Sequence, residues 1–168
     1  MNEKDLLLLQ LEQAFDKRSW HGTNLLGSVR GLAHRDGSWR PAKGRHNIWE
    51  IVVHTAYWKY TVYRQLTGEA RGSFALKGSN WFARTSADSE DLLDADVALL
   101  KGYHRKLLEA VRAFPSASFG ELVTGRKNTY RDLVVGIAAH DLYHAGQIQL
   151  LKRLKTNRGQ GSGVRGQG

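Results

Sequence analysis

There is no cysteine in these 168 residues. Disulfides, thiolate metal ligands and a cysteine nucleophile are excluded together, and the absence fits a cytoplasmic protein. No apolar run reaches the roughly 20 residues that a helix needs to cross a bilayer, so no membrane is expected as a partner. The opening residues, MNEKDLLLLQLEQ, are acidic and amphipathic. They offer neither the basic flank nor the small-residue cleavage site of a secretory leader. Strand-like alternation of apolar and polar residues is almost absent, and there is no internal repeat. Zinc-finger spacings and aromatic RNA-binding signatures are missing as well.

What is present suits one domain with a core of its own. Hydrophobic residues make up 41 % of the chain, an ordinary share for a folded globular protein. The charge is one-sided: 25 lysines and arginines against 16 acidic residues, a formal net charge of +9. Part of the excess sits in the last stretch, KRLKTNRGQGSGVRGQG, and the rest is scattered. Basic charge without a recognition motif points to solubility and weak nonspecific binding, so nucleic acid is not expected as a specific partner.

Helical periodicity marks four segments. The first, about Asp5 to Leu26, places Leu8, Leu11, Phe15, Trp20 and Leu25 at mixed three- and four-residue steps. The second, about Ile48 to Leu66, starts at a capping box of Asn47 and Glu50. The third spans about Ser89 to Phe114, entered through an acidic turn and stopped by Pro115. The fourth spans about Tyr130 to Lys155, capped by Thr129 and Asp132. The chain reads as all-α, a four-helix bundle. Its connections, roughly 31–46, 67–88 and 115–128, are longer than an up-and-down bundle needs, which makes a crossover topology plausible. A four-helix metal-binding domain is expected over residues 1–155 and a disordered, Gly- and Arg-rich tail over 156–168.

The fourth helix raises the chemical question. Its core-facing stripe runs Leu133, Ile137, His140, His144, Ile148, Leu151, so two histidines stand where leucines are usual. At i and i+4 they can point to one spot and hold a metal ion. Taken alone they could also be two separate, hydrogen-bonded core histidines. His54 shifts the balance, because on the second helix Ile51, His54, Trp58 and Val62 step the same way. Three buried imidazoles without partners would cost about 1–3 kcal/mol each, unless they share a ligand. Three histidines leaving further positions free is the pattern of an open, catalytic-type metal site. HDLYH is close to the HExxH helix of zinc proteases, but Asp141 is a methylene shorter than the glutamate base and no further ligand follows His144. The other histidines, His21, His34, His46 and His104, are expected to be peripheral. Glu50 is accounted for by its cap, Gln147 either lines the site or sits at its rim, and Tyr57, Trp58 and Tyr143 flank it.

A helix reading NIWEIVVHTAYWKY followed by a late HDLYHAGQIQLLKR resembles the DinB/YfiT-like metalloenzyme superfamily. The likeness runs from about Leu6 to Lys155 and includes the stretch Asn80–Phe82. It implies a four-helix bundle of unusual connectivity, commonly a homodimer, with a divalent metal, zinc or nickel, held by His54, His140 and His144. Characterised relatives use a low-molecular-weight thiol as co-substrate. The resemblance therefore implies a metal-dependent S-transferase acting on a small-molecule substrate. The alternatives are a metal-dependent hydrolase and a non-catalytic stress or binding protein with a basic tail.

Overall fold

The computed structural model describes residues 1–161, with side chains as far as Arg158. The elements are α1 (Glu3–Phe15), α2 (Leu25–Val29), α3 (His34–Gly37), α4 (Ile48–Thr67), α5 (Glu90–Ala113), a 3₁₀ turn (Ser116–Gly120) and α6 (Tyr130–Gly161). Among the described residues the one strand-like pairing is an isolated bridge between Leu122 and Thr129. No helix among them is long and apolar enough to cross a membrane.

Each long helix starts where a side chain takes up its free N–H groups, a contribution of about 1 kcal/mol per cap. Asn2 and Asp5 form a capping box on α1, and Asn47 and Glu50 form one on α4. Ser89 accepts from the Leu92 N–H to open α5. Thr129 and Asp132 exchange bonds before α6. At the far end of α4 the chain turns through Gly68 in the left-handed region. Phe114, held extended before Pro115, ends α5.

The four long helices close into a ring. α4 packs on α5 and α6, and α1 packs on those same two. Consecutive long helices, α1 with α4 and α5 with α6, therefore lie across the diagonals, and the long connections make this crossover arrangement possible. The interior holds two apolar clusters. One surrounds Trp49, Val52, Leu100 and Ile148; the other surrounds Leu11, Val62, Leu107 and Ile137. Between them, along α4, α5 and α6, come Lys59, His104 and Asp141, a buried polar layer across the bundle.

Two expectations need correction. The first helix stops at Phe15, and Trp20, expected on its core stripe, is 99 % exposed. The three- and four-residue spacing continues through Trp20 and Leu25 without a helix beneath it. Asn24 instead donates to the Lys17 carbonyl and caps α2, so Leu25 is buried from a new helix. The fourth helix continues past Lys155 to Gly161, so residues 156–161 belong to α6. The remainder of the expected tail, residues 162–168, lies outside the described residues.

Candidate metal centre

His54 sits two turns into α4, and His140 and His144 lie one turn apart on the facing side of α6. Their Nε2 atoms meet in the cleft between the helices: His140 to His54 is 3.2 Å and His144 to His140 is 3.1 Å. All three ligand atoms fall within 4.8 Å of one another.

The outer ring nitrogens fix the tautomers. His54 Nδ1–H donates to the Asn80 carbonyl at 2.9 Å, and a carbonyl can only accept. His144 Nδ1–H donates to Gln147 Oε1 at 2.7 Å. In a neutral imidazole each then carries a lone pair on Nε2. Both lone pairs point at His140 Nε2, whose proton could satisfy one of them. A cation satisfies every one. Tetrahedral ligands about 2.0–2.1 Å from one ion stand roughly 3.3 Å apart, close to the spacings seen here. The residues fit a divalent ion of the imidazole-binding kind and could hold one.

Electrostatics keep the three imidazoles uncharged. Burial is the first cause that lowers the pKa of each imidazole. It takes His140 to about 3, helped by the charges of His144, His54 and Lys59, and His144 to about 4, with His54 adding to the effect. His54 is lowered as well, against the pull of the Asn80 carbonyl. All three are neutral at pH 7, the form that ligates.

The loop between α4 and α5 builds the wall. Asn80, the one non-glycine with positive φ (65°) among the described residues, offers its carbonyl to His54 and its side chain to Trp58 Nε1 at 3.0 Å. The next residue, Trp81, lies flat between two imidazoles, 3.8 Å from His54 and 3.5 Å from His46. His46 in turn meets Glu50 at 3.0 Å. Glu50 also binds Arg40 through both carboxylate oxygens and accepts from the Arg84 N–H. The cap of α4 thereby ties two loops to the rim of the site. The cavity in front of the histidines measures about 780 Å³. Its buried wall is apolar, with Ile51 and Leu151, and the exposed Arg45, Tyr143 and Leu154 stand at its mouth.

A sequence model of the DinB superfamily matches residues 18–148, most of the chain. The protein belongs to the DinB superfamily. No curated protein and no solved structure matches it. The all-helical fold agrees with that membership, and within it the three expected histidines come together.

For this DinB-superfamily chain the remaining site expectations divide. Gln147 lines the cavity and holds His144, and Trp58 and Tyr143 do line it. Tyr57 instead packs on Phe74 and Phe82, behind Trp58. Asp141 turns away from the histidines into the core, where it pairs with Lys59; both are fully buried. Burial pushes Asp141 up to about 6 and Lys59 down, each opposed by the charge of the other. One histidine expected at the periphery is elsewhere: His104 is 3 % exposed, stacked 3.7 Å from Phe15. His46 is exposed, as expected, and forms the rim just described. Trp81 and Lys59 had no periodic signal to mark them, since one stands in a loop and the other is of a type that usually faces solvent.

Proposed function

We propose that His54, His140 and His144 hold a divalent metal ion, zinc or nickel, and that the protein is an enzyme transferring a low-molecular-weight thiol to an electrophilic small molecule. One observation carries the reading: two imidazoles of fixed tautomer aim their lone pairs at a third, a geometry that a cation relieves. Bound there, the ion supplies a Lewis acid that lowers the pKa of a coordinated thiol. The chain contains no cysteine, so the sulfur has to arrive with a substrate. Trp81 holds the His54 ring in plane, and Gln147 holds that of His144. The apolar wall of Ile51 and Leu151 excludes water from the reacting groups and takes the non-polar part of the electrophile. Arg45 at the mouth suits a carboxylate on either substrate.

Hydrolysis is the weaker reading of the same centre. It needs a general base; no carboxylate is among the described residues that line the cavity, which leaves His46, at the rim and paired with Glu50, as the candidate there. Asp141, the nearest candidate along α6, is committed to Lys59. Along the edge of this cavity α6 exposes Tyr143 (64 %), Leu150 (57 %) and Leu154 (41 %), which supports a homodimer formed along this helix.

Elemental analysis of the purified protein beside its His54→Ala, His140→Ala and His144→Ala variants tests the proposal. One equivalent of metal per chain is expected in the parent and none in the variants, whose helical circular dichroism stays unchanged. Addition of the right thiol then shifts the spectrum of the cobalt- or nickel-loaded protein. Absence of metal in the parent, with none taken up on dialysis, would return the histidines to the core and end the enzyme reading.

A further inference from the structure

On the far side of Trp58 lies a second cleft, of about 690 Å³, which the metal reading does not use. Three separate segments build it. α4 contributes Tyr57, Tyr60 and Arg64, the loop after it contributes Arg71 and Lys77, and the turn before α6 contributes Arg126. Four of the lining groups are cations and none is a carboxylate. Among the described residues the ion pairs lie elsewhere, as with Arg40 and Glu50, Lys59 and Asp141, Arg84 and Asp96, or Arg131 and Glu3. Arg64 has a long contact, 3.4 Å, to the Glu69 carbonyl. No ion pair among the described residues involves Arg64, Arg71, Lys77 or Arg126.

A basic chain has spare cations, but left to repulsion they spread apart into solvent. Here the backbone gathers four into one concavity, where low-dielectric walls concentrate their field. Guanidinium groups bind phosphate and carboxylate oxygens in pairs. The half-buried rings of Tyr57 and Trp58 add apolar surface beside them. A nucleic-acid backbone would call for cations strung along an open track, whereas these close around a pocket. We propose that this cleft is a second ligand site, taking a small molecule that bears a flat ring and two or more phosphate or carboxylate groups. It shares Trp58 with the cavity of the histidines but none of their ligand atoms, so it stands whether or not a metal binds there.

The test is titration calorimetry with inorganic pyrophosphate and with citrate at fixed ionic strength. It uses the full-length His140→Ala protein, so that no metal at the histidines captures the probe; chelator-treated parent protein is measured beside it. Saturable one-site binding is expected. It weakens about tenfold or more in Arg71→Ala/Arg126→Ala and is unchanged in Arg18→Ala/Arg105→Ala, which removes the same charge from exposed positions outside the cleft. The tighter of the two probes tells phosphate from carboxylate. Equal weakening in both double variants would make the effect one of net charge and overturn the site, and so would the lack of saturable binding by either probe. A short single-stranded oligonucleotide is titrated in parallel. Should it bind more tightly than both probes and be lost in Arg71→Ala/Arg126→Ala, the cleft is a nucleic-acid surface and the small-molecule assignment falls.

Discussion

Replacing Lys59 by Met should destabilise the protein far more than replacing both members of its ion pair. Lys59 and Asp141 are each 0 % exposed, joined by one hydrogen bond that ties α4 to α6 across the polar layer. Breaking such a pair leaves one buried charge without a partner, at a cost of about 3–5 kcal/mol. In a chain of this size that lowers Tm by roughly 10 °C. Asp141→Leu should cost about as much, and its stability should rise with pH above neutrality. Burial lowers the pKa of Lys59, and without Asp141 to oppose it the folded state holds that proton less firmly than the unfolded state, so raising the pH lessens the penalty. The double variant Lys59→Met/Asp141→Leu has no charge to strand. It also removes Asp141 Oδ1, a buried oxygen without a hydrogen-bond partner. Its stability should return to within about 1 kcal/mol of the parent or exceed it.

Urea unfolding of the four proteins, followed by circular dichroism, closes the cycle and gives the coupling directly. A cost below about 1 kcal/mol for Lys59→Met, or a double variant as unstable as the worse single one, would refute the buried ion pair as the cause. The first result would mean that the layer is wet, and the second that the two side chains act through packing.

Three further outcomes follow from other contacts. Gln147→Leu removes the partner of His144 Nδ1 and should weaken metal affinity by about tenfold or more in competition with a chelator, at unchanged helicity; unaltered affinity would mean that the ring needs no such support. His104→Leu should gain about 1 kcal/mol at pH 7, because neither nitrogen of that buried ring has a partner. Burial first, then Lys59 and Arg112, lower His104 from 6.5 to about 2, so its penalty grows as pH falls below 6.5 and the gain should reach about 3 kcal/mol at pH 5; a loss of stability in urea would show the ring to be satisfied. Burial alone would raise Glu50, but bonds from Arg40, His46 and the Arg84 N–H bring it from 4.5 down to about 2. Its stabilisation is therefore whole above pH 4.5 and fades towards pH 2, so Glu50→Gln should cost about 2–3 kcal/mol at pH 7 and progressively less in acid; a gap that does not change with pH would exclude the ionic account.

What could be read in advance is what lies close together in the chain. The caps of α4 and α6 are spaced three residues apart, and the histidines of α6 four, so both are visible in a short window. His54 could be joined to them because its own stripe faced inward. The error at Trp20 has the same root: spacing persists where the backbone has already left the helix, and only the cap at Asn24 marks the break. Lys59 and Asp141 stand 82 residues apart, and a lone lysine in an apolar stripe is ordinarily one that reaches solvent. Nothing local distinguishes it from one sealed by a carboxylate on another helix. Asn80 and Trp81 are in a loop, where no period exists to place a side chain. Yet these long-range contacts hold the local motif in shape: Asn80 sets the tautomer of His54, Trp81 sets its plane, and Lys59 clamps the residue next to His140. The three histidines can be found by pattern, whereas their mutual geometry depends on residues that only the closed bundle brings to them.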